Sequence, residues 1–376
     1  MGRLDSDLVR SLASRRASDP ALVSCYVELD PSTIPTARQL SSHVKSLLDR
    51  LDDEARGPAG TAVRRIESYL EQELDRRGAH GLALLASAED EQLLDLLLPG
   101  TVEDAVHVGK TFVVAPLCRF LELDRPVVMA AVGRDRGSLW RVRRGEASDL
   151  VDLTRDGQGR HDQGGWSQAR YQRARGEEAR AHLQAVADEL ALRVPEGSDT
   201  LLAVACTQDQ RATFEGMLVP HLRDALVGYL ELEKQDDSAA LAPRVEELLR
   251  ARLRGEREAL LEQWREQRGQ ESGRATESWA GTLAAAWDGA VDTLIVDGRS
   301  GDAWECPTCG RGHARPGSCE LDGALLDPAL GGRLESAVRG TLLHGGSVRF
   351  AGEGELDGDL GAAALLRYPV GASQHD

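Results

Sequence analysis

Apolar positions in this chain gather in short runs separated by longer amphipathic stretches. Leu22–Leu29, Leu82–Ser87, Phe112–Leu117 and Pro126–Gly133 are nearly uncharged and end at turn residues. They read as buried strands. Residues 37–77 repeat at helical spacing, interrupted near Gly57–Gly60. Ser138–Gly145 pairs with the preceding run as a hairpin across Arg134–Gly137. A Gly- and Asp-rich loop, 156–165, precedes a helix predicted over 167–193 with Ser167 as its N-cap. A buried strand over Thr200–Cys206 follows, then helical stretches near 208–226 and 241–267. In the latter, Leu241, Val245, Leu248, Leu249, Leu253, Leu260, Leu261 and Trp264 recur near helical spacing.

After the polar segment 268–275 come a helix over Trp279–Trp287 and a strand over Val291–Asp297. A cysteine-bearing insert occupies 305–325. A helix (332–343), a strand (347–350) and a closing strand (363–369) complete the chain. Strand–helix alternation predicts an α/β protein. Three domains are expected: 1–124, 125–270 with the Gly-rich loop, and 271–376. The last is expected to be an α/β/α sandwich carrying the insert.

A length of 376 residues suits two or three domains, and 41% hydrophobic residues supports real cores. No apolar run is long enough to span a membrane, and the N-terminus has no apolar signal core. A cytoplasmic, monomeric protein is expected. The net charge of −17 argues against a generic nucleic-acid coat protein. Charge is uneven, however. From Arg134 to Arg175 ten arginines face six acids, a local net of +4. A focused basic patch of this kind docks on phosphates while the remaining surface is repelled.

Three of the six cysteines, Cys25, Cys118 and Cys206, lie isolated among apolar residues. The other three cluster. Cys306 and Cys309 form a CxxC knuckle, Cys319 follows nine intervening residues later, and Asp322 lies three further on. A tight knuckle points two thiolates at one ion, and a carboxylate oxygen is an acceptable zinc ligand. Cys306, Cys309, Cys319 and Asp322 are therefore the expected ligands of a structural zinc, with His313 competing for the fourth place. A redox role for CPTC lacks the strand–CxxC–helix context it needs. There is no Walker loop, no HExxH and no GxSxG. His80, His107, His182 and His221 fit surface or satisfied core positions.

The stretch GGWSQARYQR, Gly164–Arg173, holds two glycines, Trp166, Ser167, Arg170, Tyr171 and Arg173. By itself a glycine pair before a helix is more often a simple turn, and helical arginines more often a solvated face. In combination the stretch resembles the GGQSxxRxxR signature of the archaeo-eukaryotic class-1 release factors and their bacterial relatives, a superfamily that also includes Pelota, which lacks that signature. The ending GAAALLRYPV, Gly361–Val370, is similar to the last strand of that superfamily's third domain. The resemblance implies three domains in a tRNA-like arrangement, the third with a zinc-ribbon insert. It places the first domain near the decoding site and the middle-domain loop at the peptidyl-transferase centre. The third domain then contacts a translational GTPase or the ribosomal stalk base.

Two departures shape the expected activity. Trp166 stands where release factors carry a glutamine that positions the hydrolytic water. Tryptophan has one donor and no side-chain acceptor, so it suits stacking better. The stop-codon motif Asn-Ile-Lys-Ser is missing, and the corresponding helical-hairpin turn reads ARGPAGTA, Ala55–Ala62. The chain thus looks most like the bacterial, Balon-like hibernation branch. The expectation is a non-enzyme that occupies the A site, without hydrolysing peptidyl-tRNA, on hibernating or stalled ribosomes. Its contacts would be rRNA of both subunits, with elongation factor Tu or another translational GTPase. Arg160, His161, Arg170, Arg173 and Arg175 would neutralise rRNA phosphates, and Gly164, Gly165, Trp166 and Ser167 would form the tip. Two alternatives stand beside it: a peptidyl-tRNA hydrolase, and a protein-interaction module that has left the ribosome.

Overall fold

The structure is a computed structural model. It describes residues 4–30, 34, 36–51, 53–71, 79–90, 92–122, 125–143, 145–154, 168–233, 235–352, 354–356 and 360–370. In chain order the first elements are α1 (Ser6–Ser14), β1 (Leu22–Glu28), α2 (Ala37–Leu48), α3 (Asp53–Tyr69), β2 (Gly81–Ser87), β3 (Leu93–Leu98), β4 (Ala105–Gly109) and α4 (Ala115–Cys118). Next come β5 (Val127–Val132), β6 (Gly137–Arg143), β7 (Glu146–Asp152), α5 (Gln168–Arg193), β8 (Leu201–Cys206), α6 (Gln208–Glu215), α7 (Pro220–Asp224), β9 (Leu226–Glu231) and α8 (Ser238–Gly269). The last are β10 (Ala275–Thr276), α9 (Trp279–Trp287), β11 (Val291–Val296), β12 (Trp304–Glu305), β13 (Gly312–His313), β14 (Asp327–Pro328), α10 (Gly332–Leu343), β15 (Ser347–Phe350) and β16 (Ala362–Leu366).

The chain divides into two compact units. One is 123–256; the other pools 1–122 with 257–376, and the boundary at Glu256/Arg257 falls inside α8. The α/β class holds throughout. In the pooled unit, the antiparallel sheet β3-β2-β1-β4 is covered on one face by α2 and α3. A second sheet, β10-β16-β11-β15, is an α/β/α sandwich, as expected. Successive residues of β11 alternate between its faces: Leu294 and Val296 face α9 and α10, while Ile295 packs with Leu261 and Trp264 of α8. One apolar core draws on both chain ends, joining Val9, Leu22, Tyr26 and Phe112 to Leu283, Leu294 and Val338. A separate three-stranded ribbon, β13-β12-β14, carries the cysteines.

The unit 123–256 has one sheet, β7-β6-β5-β8-β9, with β5, β8 and β9 parallel and the β5–β6–β7 meander antiparallel. Val128, Ala130 and Val132 face α5, α6 and α7, whereas Val127, Met129 and Ala131 face α8.

Several local expectations are corrected. Phe112–Leu117 is not a strand. Thr111 makes only a single bridge to Arg16, and the chain turns into α4 after Val114. Pro116 lacks an N–H and fixes φ, so the apolar run starts a helical turn instead of a ladder. α2 ends at Leu48 and α3 begins at Asp53, so the helical pattern does not break at Gly57–Gly60, and Ala55–Ala62 lies inside α3 rather than in a hairpin turn. There Ala59, Ala62 and Ile66 are fully buried at helical spacing, and this packing outweighs the poor propensity of Gly57, Pro58 and Gly60. Strands β3, β4, β7 and β9 were not anticipated, and β9 begins where a helix was expected to end.

Candidate functional site

Helix α5 has two halves of opposite character. Leu183, Val186, Ala187, Leu190 and Val194 just beyond it are buried against the sheet at 3–4-residue spacing. Gly137 on β6 lets the helix come close, since a Cβ there would sit 2.8 Å from Val186 Cγ2. His182 is 1% exposed, and its Nε2 has no hydrogen-bond partner. Toward the N-terminus the helix leaves the core, and Arg173, Arg175, Glu177, Glu178 and Arg180 are exposed. At 1.5 Å per residue, the stretch from His182 back to Gln168 is about 21 Å of helix. The arrangement is a stem: a packed root and a polar shaft whose first turns lead directly out of 155–167. Arg160, His161, Gly164, Gly165, Trp166 and Ser167 lie outside the described residues. For Arg170 only the helical backbone is described, so among the predicted basic residues Arg173 and Arg175 are the two placed as exposed side chains.

The second candidate is a metal centre. Ligand atoms of Cys306, Cys309, Cys319 and Asp322 all lie within 4.8 Å of one another. Two chain segments with the same internal pattern build it. In each, the first cysteine's carbonyl accepts from a glycine four residues on: Gly310 N–H to Cys306 O and Gly323 N–H to Cys319 O, both 2.9 Å. In each, that cysteine's N–H donates to a carbonyl five residues on: Arg311 O at 2.9 Å and Ala324 O at 2.8 Å. Gly310 and Gly323 take φ of 78° and 74°, a left-handed conformation that glycine adopts without strain.

Cys309 Sγ and Cys319 Sγ are 3.6 Å apart, and Cys306 Sγ lies 3.3 Å from Asp322 Oδ2. Tetrahedral zinc with ordinary Zn–S bonds sets its sulfurs about 3.8 Å apart. Three thiols and one carboxylate therefore fit a single divalent ion, and this group can hold one. Burial pushes the Cys306 thiol up, but the Cys309 and Thr308 N–H groups outweigh it and leave the thiol below its ordinary value. Cys309, mainly through burial, is raised to about 11. The Ala324 N–H and the Cys306 thiol hold the Asp322 carboxyl below its usual range. His313, the competing ligand, lies in β13 outside this group. Its Nε2 is buried without a partner, and burial lowers its pKa.

The pooled unit also holds a polar junction that no local sequence pattern marks. Glu305, next to Cys306, takes Arg16 on one oxygen and the buried Arg339 on the other. Glu335, four residues before Arg339, is buried and accepts from the N–H groups of Val114 and Ala115. A Glu/Arg pair four apart on an amphipathic helix usually marks a solvated face. Among the described residues no helix is long and apolar enough to cross a membrane.

Residues 113–250 match the family described as bacterial archaeo-eukaryotic release factor family 10. That stretch belongs to the release-factor superfamily. It contains helix α5 and the whole sheet β7-β6-β5-β8-β9. No curated protein matches the chain. Among solved structures, the archaeal translation termination factor aRF1 is 16% identical, with 96% of this chain and 97% of that one covered at a TM-score of 0.25. Pelota of Archaeoglobus fulgidus is 14% identical, with 77% and 80% covered at 0.35. S. cerevisiae Dom34, a translation termination-like factor involved in RNA quality control pathways and interacting with Hbs1, is 10% identical, with 78% and 82% covered at 0.44. At these identities and TM-scores the likenesses bear on neither activity nor partners.

Proposed function

We propose that this chain is a ribosome-binding translation factor that occupies the A site and reaches the peptidyl-transferase centre without hydrolysing peptidyl-tRNA. One observation carries the reading. The sequence Gly164–Trp166 lies just ahead of helix α5 with its exposed Arg173 and Arg175, inside the segment that matches a release-factor family. In this reading residues 1–124 face the decoding site and 125–270 carry the tip. Residues 271–376 face a translational GTPase such as elongation factor Tu.

Arg160, His161, Arg170, Arg173 and Arg175 neutralise rRNA phosphates, each contact releasing about one counterion. Gly164 and Gly165 let the backbone pass a narrow cavity, and Ser167 starts the helix. Trp166 stacks on a base and offers no acceptor to orient a water. The protein holds the site closed on hibernating or stalled ribosomes and performs no reaction. Cys306, Cys309, Cys319 and Asp322 take zinc as a structural ion, whose four protein ligands leave no open position.

The release-factor description of the family favours one second reading, hydrolysis of peptidyl-tRNA. A peptide-release assay on programmed ribosomes separates the two. The wild-type chain should bind and release nothing. Efficient release that disappears in a Gly164→Ala/Gly165→Ala double variant would establish the hydrolase instead. Failure to co-sediment with ribosomes at low salt, with or without elongation factor Tu, would assign the chain to partners off the ribosome.

A further inference from the structure

The seat of Arg16 is made almost wholly from the first cysteine knuckle. Arg16 follows α1, and its backbone bridges to Thr111, so it belongs to the N-terminal part of the pooled unit. Its side chain crosses to the ribbon. Nη1 pairs with Glu305 Oε1 at 2.6 Å, and Nη2 donates to the Pro307 carbonyl at 3.3 Å. Gly310 closes the seat, since a Cβ there would lie 2.8 Å from Arg16 Nη1. Glu305 immediately precedes Cys306, Pro307 sits between the two cysteines, and Gly310 follows Cys309. The circuit returns through α10: Arg339 Nη1 donates to Glu305 Oε2 at 3.3 Å, and its Nε donates to the Ala13 carbonyl of α1 at 3.2 Å.

In the metal reading, the shape of residues 305–310 aims the Cys306 and Cys309 sulfurs at one ion. Turn hydrogen bonds, the β12 ladder, the burial of Cys306 and the Glu305 and Arg311 ion pairs also hold the segment, and a bound ion adds its binding energy to the local folding energy. The groups that receive Arg16 are therefore stabilised by the same event that orders the ligands. Linkage requires the reverse as well: the part of Arg16's contribution that differs between the metal-free and metal-bound knuckle must appear in metal affinity.

We infer that metal binding in the ribbon and docking of α1 on the C-terminal part of the same unit are coupled, with Arg16 as the coupling residue. The inference rests on the metal reading of the three-cysteine, one-aspartate group. The ribbon then acts as a metal-set clasp joining the two ends of the chain.

The test uses the full chain and zinc. Zinc content is measured first, then zinc affinity by competition with a chromophoric chelator, and amide hydrogen exchange with and without zinc. The expected result is one zinc per chain, whose removal speeds exchange both in 304–328 and in α1. Arg16→Ala should lower zinc affinity about fivefold or more. Arg16→Lys keeps charge toward Glu305 but loses the fork, and should fall between. Arg15→Ala is the control, because Arg15 pairs with Asp90 and Gln92 rather than with the ribbon. It should leave zinc affinity unchanged. Zinc that binds, but whose removal speeds exchange only in 304–328, overturns the coupling and leaves the metal reading standing. So does a wild-type zinc affinity in both Arg16 variants. A chain that takes up no zinc overturns both.

Discussion

Glu335 makes the pooled unit's stability depend on pH in an unusual direction. The side chain is 3% exposed. Oε2 accepts from the Val114 N–H at 2.9 Å and the Ala115 N–H at 2.7 Å, while Oε1 has no partner among the described residues. Burial dominates and pushes the carboxyl from an ordinary 4.5 up to about 7; the two amides and Arg339 pull the other way, and Glu305 adds to the rise. Between those values the folded chain keeps a proton that the unfolded chain has released. Stability therefore falls as pH rises, fully present below about 4.5 and lost through about 7. For one group with these values the loss from pH 5 to pH 8 is about 2.5 kcal/mol. Glu335→Gln keeps an oxygen for both amides and carries no charge. It should match the wild type at pH 5 and exceed it at pH 8 by up to about 2 kcal/mol. Urea unfolding followed by tryptophan fluorescence at both pH values measures this. Using the difference between the two proteins cancels titrations they share. Parallel pH dependence in both proteins, or a Glu335→Gln chain less stable at pH 8, would refute the reasoning.

Other outcomes follow from the same geometry. Leu190 is fully buried at the root of α5, so Leu190→Ala should cost about 2–5 kcal/mol in thermal or urea unfolding; a loss below 1 kcal/mol would show that the root of α5 is not packed as described. Cys306→Ser should abolish stoichiometric zinc by elemental analysis, and full retention would remove Cys306 from the ligand set. Trp166→Ala should weaken ribosome binding by about 1–3 kcal/mol, read by co-sedimentation. Unchanged binding and inhibition would deny the tip an anchoring role.

What the sequence made legible follows from how local each signal is. Fully buried strands such as β1, β2, β5 and β8 announce themselves as uncharged runs, because both faces are covered. The edge strands β7 and β9 are half exposed and mix charge with apolar residues, so they read as loop or helix. The cysteine group was legible because CxxC spacing is a recognisable knuckle pattern, and the structure brings Cys306, Cys309, Cys319 and Asp322 into one group that could hold a metal ion. The Arg16–Glu305 pair was not, since its partners are 289 residues apart. Nor does Glu335 betray its burial, because only the fold brings the α4 amides to it. The merging of both chain ends around one core is likewise set by packing between segments that no local pattern connects.

The most direct test of the central claim is a cryo-EM map of the chain bound to ribosomes carrying peptidyl-tRNA. The expected map shows density for Gly164–Trp166 in the peptidyl-transferase centre, α5 lying along rRNA through Arg173 and Arg175, and an intact ester on the tRNA. A chain bound elsewhere on the particle, or a tip in the centre beside deacylated tRNA, would contradict the claim.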